Sequence, residues 1–385
     1  TISQRMATGI DSFALLAIPF FILSGELMNK GGVAHRLVAF AKALVGFLPG
    51  GLALINVISA MLMGSVAGSA MASASAMGSI LGPEMEKEGY SKGFGVAINI
   101  TSATTGLVIP PSNILIVYSL ASGGASIAAL FLAGYIPGIL TGLFLMAVAM
   151  IWAKKKNFKT GKRAPLKTVF SSFVRAFPSL MLLFVVIGGI VSGVFTATEA
   201  SAIAVIYTLV LGFIYKEITF KTLPTILLKS STTTAIVMFL IGASMSMSWV
   251  LSYENIPEMI SSGILSLSDN KIVILLLINF TLLFVGIFMD MTPAVLIFTP
   301  IFLPIVTQLG IDPVHFGIIM ILNLCIGLCT PPVGSVLFVG VGVANTSIQK
   351  VIKPLIPLFL AMIVALLLVT YIPALSLWLP SIFDL

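Results

Sequence analysis

Apolar positions dominate the chain, so the informative residues are the polar and helix-breaking ones between them. Apolar runs of span length cover Ser12–Met28, Ala125–Trp152, Phe177–Phe195, Ala197–Tyr215, Thr222–Leu251 and Ile272–Met289, and Lys350–Leu379 gives a last long span or kinked pair. About 20 apolar residues cross a hydrocarbon core as a helix, so these segments predict α-helices throughout. Ser12–Met28 carries Pro19, which predicts a kink, and Glu26, read as a helix-end residue reaching the interface. Ala34–Phe47 sets His35, Arg36 and Lys42 among apolar residues, as suits a helix lying along the membrane surface. Tyr253–Asp269 reads as a short polar connector.

Two stretches, Gly64–Ser112 and Gly286–Val333, repeat one another. Gly64 to Gly95 and Gly286 to Gly317 have equal length and end in Phe-Gly, and each is followed by Gly-Leu-x-x-Pro-Pro with one residue of slip between copies. Each copy breaks its own helices, with Gly64, Gly68, Pro83, Pro110 and Pro111 in the first and Gly286, Pro293, Pro300, Pro304, Pro331 and Pro332 in the second. Broken helices persist at membrane depth only where protein or a water-filled cavity surrounds the break. Paired interruptions in corresponding places point to the binding site of a transporter.

The small-residue run from Gly64 has two readings. It is either a surface for close helix packing or the tip of a re-entrant hairpin, and the repeat favours the hairpin. Phe94–Val108 then places Asn99, Thr101, Ser102, Thr104 and Thr105 before Pro110-Pro111. Prolines supply no backbone N–H, so carbonyls one turn earlier lose their helical partners. Carbonyls and hydroxyls together suit Na⁺, while the N-terminus of the resuming half-helix favours an anion. The candidate Na⁺ ligands are therefore Ser65, Thr104, Thr105 and Gly106 in one copy and Thr292, Gly327, Thr330 and Gly334 in the other. The candidate substrate contacts are Ser65, Gly68, Ser69, Asn99, Ser112, Asn113, Asp290, Asn323 and Ser335. Asp290, the sole acidic residue between Asp269 and Asp312, either serves the site or is a hairpin tip reaching water. Cys325 and Cys329 have no companions for a metal set and read as buried helical thiols.

Composition settles the class. At 58% hydrophobic, 9% charged and mean hydropathy +1.16, the 385-residue chain cannot keep a globular surface wet, which takes roughly 25% charged residues. The chain reads as an all-α polytopic membrane protein with on the order of ten to twelve crossing or half-crossing segments. The net charge of +7 sits in loops and has no aromatic-interleaved basic face, so it gives no nucleic-acid signal. The run from Lys154 to Arg163 marks the cytoplasmic side, since no Asp or Glu occurs between Gly89 and Thr198. The polar start before Ser12 reads as a loop following spans that are absent from the sequence. No Gly-x-x-x-x-Gly-Lys-Ser/Thr loop or catalytic motif appears, which disfavours ATP-driven transport and an intramembrane enzyme.

The opening SQRMATGIDSFALLAIPFFILSGELM, the tip MGSVAGSAMASASAMGS, and LVIPPS, LFLAGYIPG, GVFTATEASA and LCTPPVGS resemble the large membrane subunit of tripartite ATP-independent periplasmic (TRAP) transporters. The resemblance implies an inverted-repeat, elevator-type transporter of the bacterial inner membrane. It also implies Na⁺ coupling, a small membrane (Q) subunit, a periplasmic substrate-binding protein and an organic-anion substrate of the sialic acid or C4-dicarboxylate type. A stand-alone ion-coupled transporter or exporter is the alternative. The expected division is an N-terminal span and arm at 1–48 and a first repeat at 49–150, with a basic loop and scaffold helices at 151–270. A second repeat follows at 271–348 and a last span at 349–385.

Overall fold

The structure, a computed structural model, describes residues 2–156, 158, 161, 163–267 and 270–385. Lys159 and Lys162 of the basic loop and Asp269 of the connector lie outside the described residues. The described chain is helical. The first repeat and its approach comprise α1 (Ile2–Gly9), a 3-10 turn Phe13–Leu16, α2 (Ala17–Lys30), α3 (Val33–Val45), α4 (Gly51–Ala67), α5 (Ala70–Lys87), α6 (Lys92–Thr105), α7 (Asn113–Ala121) and α8 (Ile127–Lys155). Two connecting helices follow, α9 (Leu166–Val191) and α10 (Ala197–Ile214). The second repeat comprises α11 (Leu223–Tyr253), α12 (Ile256–Leu267), α13 (Lys271–Phe288), α14 (Met291–Gln308), α15 (Pro313–Gly327), α16 (Ser335–Val343) and α17 (Ile348–Tyr371), and α18 (Ala374–Ile382) closes the chain.

Among the described residues, seven helices are long and apolar enough to cross a membrane. Two of the seven, α13 and α14, are the arms of the second hairpin, and α4 and α15 include shorter apolar stretches. The Gly64 run is the C-terminal turn of α4 and the start of α5, so it forms a hairpin tip, with Gly68 left-handed at φ 59° to reverse the chain. The second tip lies between α13 and α14 at Met289–Asp290. Each Pro-Pro pair breaks a helix, splitting α6 from α7 and α15 from α16, and both Pro-Pro bonds are cis.

Three local expectations are corrected. The polar start forms helix α1, which packs on α11 with Arg5 over the Trp249 ring at 5.5 Å. Pro19 causes no mid-span kink, because α2 starts at Ala17 and proline's missing N–H costs nothing in a first turn. The connector after Tyr253 is largely helix α12, the counterpart of α3, whose apolar positions fall on one side.

The two hairpins enter from opposite faces. Around the basic C-terminal end of α8, Gly50 lies against Ala149 and Ala153, and the Tyr90 ring stacks on Phe158 at 3.9 Å. Lys42 and Glu84 pair there at 3.6 Å, and Gly93 abuts the Lys350 carbonyl. That face holds the start of α4 and the end of α5. Around the N-terminal end of α8, the Tyr118 hydroxyl donates to the Pro313 carbonyl at 2.6 Å, His315 meets Ser376, and the Tyr371 hydroxyl donates to the Ile272 carbonyl at 3.0 Å. That face holds the start of α13 and the end of α14. Since α8 runs about 43 Å at 1.5 Å per residue, the two groups sit on opposite membrane surfaces, and the repeat is inverted.

The core sits where the first halves of the broken helices cross. Phe94 and Val96–Thr105 of α6 and His315–Gly327 of α15 are buried. The Cys325 thiol donates to the Thr104 carbonyl at 3.1 Å, and Thr104 Oγ1 meets Cys329 Sγ at 3.3 Å. The hairpins pack crosswise, α5 on α16 and α14 on α7, so each leans on the other copy's half-helix. Outside this unit, α9, α10 and α11 present Phe184, Ile206, Ile214, Leu228 and Phe239 outward, as lipid contact requires.

Candidate functional site

A cavity of about 640 Å³ lies between α2 and α11 on one side and both hairpin tips on the other. It runs from the tips toward the basic face, since its walls continue to Lys30 at the end of α2 and to Ser79 of α5. At Gly25 of α2 the two walls approach closely, for a Cβ there would collide with the Ala67 carbonyl of the first tip.

Four helices start at this cavity: α5, α7, α14 and α16, whose first turns supply Ser69–Ala72, Asn113–Ile114, Asp290–Thr292 and Ser335–Val336 to its wall. Away from the cavity side chains cap α6 (Ser91), α8 (Ser126), α10 (Thr196) and α15 (Asp312), while α2, α3, α4, α9, α11, α17 and α18 have no side-chain cap bond. At the cavity Ser69 caps α5, but Ser112, Asp290 and Gly334 make no side-chain cap bond. The starts of α7, α14 and α16 carry the positive end of the helix dipole without a side-chain cap, although the Val336 N–H of α16 donates to the Leu328 carbonyl and the Leu115 N–H of α7 to the Ser112 carbonyl, both at 3.2 Å. Such a cluster favours an anionic group. The Asn113 side chain lies over the first tip, where a Cβ on Gly68 would come 2.8 Å from its Nδ2.

The carbonyl ends of α4, α6, α13 and α15 meet the same centre. Ser65 donates to Leu62 at 2.9 Å, Thr104 and Thr105 to Thr101 at 3.1 and 2.8 Å, and Thr330 to Ile326 at 2.7 Å. A hydroxyl whose proton is committed to a carbonyl presents its lone pairs, so these groups are acceptors toward any ligand. Ser112 Oγ and Ser335 Oγ are buried oxygens without a hydrogen-bond partner. Hard oxygen donors, several of them unsatisfied, fit a small hard cation such as Na⁺.

Of the residues singled out from sequence, Gly68, Ser69, Asn113, Asp290, Thr292 and Ser335 line the cavity. Ser112 sits buried one residue before Asn113, and Gly334, left-handed at φ 43°, bonds through its N–H to the Ile287 carbonyl at 3.1 Å. Ser65, Thr104, Thr105, Gly106, Gly327 and Thr330 stand at the helix breaks behind it. Two asparagines are turned elsewhere. Asn99 donates to the Ala74 carbonyl at 2.6 Å and lines a small separate pocket with Asn56. Asn323 donates to the Asn279 side chain at 2.8 Å, and Asn279 donates to Thr370 at 3.1 Å.

Sequence reasoning missed the opposite wall. Glu26, Asn29 and Lys30 of α2 and Lys229 and Thr233 of α11 all line the cavity. Lys229 Nζ donates to Glu26 Oε2 at 2.9 Å. Ionisable residues inside apolar segments were the available signal, because lipid-facing positions do not tolerate them.

An inverted pair of crossed hairpins and broken helices around a cavity at the hairpin tips defines a secondary transporter. The family described as "Tripartite ATP-independent periplasmic transporter, DctM component" matches residues 1–375, and the chain belongs to it. It is 59% identical over 382 residues to the Salmonella typhimurium protein YgiK, covering 99% of this chain and 88% of that one. It is 42% identical over 372 residues to a Pseudomonas aeruginosa protein named C4-dicarboxylate TRAP transporter large permease protein DctM, covering 96% and 87%. The solved Alcanivorax borkumensis YdaH transporter superposes at a TM-score of 0.68, covering 98% of this chain and 87% of that one, and at 14% identity it shares the fold alone. The chain is thus a multi-pass permease of the bacterial inner membrane and not an enzyme.

Proposed function

We propose that the protein takes up a small organic anion, of the sialic acid or C4-dicarboxylate type, driven by a Na⁺ gradient. The observation that carries this reading is the meeting at one cavity of helix N-termini without side-chain caps, with hydroxyl-rich carbonyl ends at the breaks behind it. N-terminal N–H groups attract the anion, carbonyl and hydroxyl oxygens hold Na⁺, and each bound charge lowers the cost of burying the other. Thr104, Thr105 and Gly106, with Ser65, serve one ion, and Thr292, Gly327, Thr330 and Gly334 the other. The name of the Pseudomonas relative is consistent with the C4-dicarboxylate type.

The crossed unit of α4–α7 and α13–α16 moves as one body past α2 and α11, an elevator step. Its support is that the cavity lies on the seam between those groups, while the crosswise packing ties both hairpins together. A periplasmic substrate-binding protein delivers the anion, and a small membrane (Q) subunit completes the fixed part in the bilayer.

The test is uptake into proteoliposomes containing the permease and its small subunit, with the binding protein outside. Uptake that needs both inward Na⁺ and the binding protein is expected. Equal uptake in Na⁺-free buffer under a pH gradient overturns the coupling, and uptake without the binding protein supports a stand-alone transporter.

A further inference from the structure

The polar patch on the fixed wall is unexplained by an anion site built from helix N-termini alone. Glu26, Asn29, Lys30, Lys229 and Thr233 face the cavity from α2 and α11, at the end nearer the basic face. Charged groups in apolar spans are costly and persist where they serve a pathway. Lys229 pairs with Glu26 at 2.9 Å, with side chains 55% and 15% exposed, so the ammonium reaches the cavity while the carboxylate is the more enclosed partner. No ion pair to Lys30 occurs among the described residues. An ammonium has three donors, and one bond to Glu26 leaves Lys229 two for another acceptor. Two lysines against one carboxylate give this wall a net positive charge, facing a wall whose single charged group, Asp290, is negative.

We infer that Lys229, with Lys30, forms a second carboxylate-binding station on the fixed wall, on the path from the helix N-termini to the basic face, and that Glu26 positions Lys229 for it. The inference rests on the reading of the cavity as an organic-anion site. A carboxylate leaving the moving tips passes to a wall that stays behind when the tips return, so the station favours release on that side. Glu26 holds the ammonium in place and weakens its hold on the anion, which keeps release from becoming a trap. A strap that merely joins α2 to α11 makes a different demand, because both partners then contribute in the same direction.

The experiment uses the complete transporter in proteoliposomes with saturating binding protein outside and either succinate or N-acetylneuraminate as the transported acid. The readout is the internal concentration of that acid that halves the uptake rate, which reports binding from the cytoplasmic side and not capture by the binding protein. Lys229→Gln is expected to raise that concentration about tenfold, the size of one charge-assisted hydrogen bond. Glu26→Gln is expected to lower it, and Lys229→Arg to restore it to within about threefold of the unaltered protein. Shifts of the same sign for Lys229→Gln and Glu26→Gln, or no shift in either, overturn the station. Should Lys229→Gln fail to fold, the sign of the Glu26→Gln shift and the value for Lys30→Gln, expected to rise, decide the matter. Absence of uptake of both acids by the unaltered transporter would instead overturn the sialic acid or C4-dicarboxylate reading beneath it.

Discussion

Gly327 and Gly286 touch backbone to backbone, so closely that a Cβ on Gly327 would lie 2.6 Å from the Gly286 Cα. The first copy repeats the contact, with a Cβ on Gly106 falling 2.8 Å from the Gly64 Cα. Each hairpin arm thus meets the end of its broken helix through two glycines, and the carbonyl-rich breaks are brought to the tips by the absence of side chains. Gly327→Ala and Gly106→Ala should each push a tip away from its break. The expected result is a lower melting temperature of the purified protein and at least a tenfold loss of uptake. Unchanged melting and uptake in both variants would show that the contact has slack.

Asp290 is exposed at the second tip, lines the cavity and caps nothing. A carboxylate there repels an anionic substrate and attracts Na⁺. Asp290→Asn should leave the protein extractable and monodisperse, cut uptake about tenfold, and weaken its dependence on Na⁺ concentration. Equal rate and equal Na⁺ dependence would mark Asp290 as a solvated tip residue.

Thr330 and Thr105 hold their protons on carbonyls of their own helices and have lone pairs to spare. Thr330→Val and Thr105→Val conserve shape and remove an oxygen. Each should raise the Na⁺ concentration needed for half-maximal uptake by several-fold while leaving the maximal rate within a factor of about three. A Na⁺ titration of uptake checks both.

The inverted entry of the hairpins has a direct readout. Single cysteines replacing Glu84, at the far end of α5, and Gln308, at the far end of α14, should react with a membrane-impermeant maleimide from opposite sides of the membrane. Glu84 loses an exposed pair with Lys42 worth under about 1 kcal/mol, so folding should tolerate the change. Labelling of both from one side would contradict the inversion.

The hairpins and broken helices were legible because glycine and proline act on the backbone wherever they stand, and two matched sets of them could be aligned without knowing any contact. Side-chain destinations were less so. The polar stripe of α6 says that Asn99 faces the interior, yet nothing in the stripe says that it turns to Ala74 while Thr104 turns to Cys329. The Glu26–Lys229 pair joins helices 203 residues apart, a separation across which single-sequence periodicity carries no information. Pro19 was misplaced for a related reason, since its effect depends on where the helix starts and the 3-10 turn ahead of it leaves no hydrophobic signature.

The crosswise packing sets an order of events during synthesis. The first hairpin is complete once Lys87 has reached the basic face, but the α16 surface that α5 rests on ends at Val343. Until then its Ala- and Ser-rich outer arm must wait beside lipid or a chaperone. A ribosome stalled before α16 should therefore leave the first half of the chain inserted, hydrogen-bonded within its own helices, and open to proteases along α5.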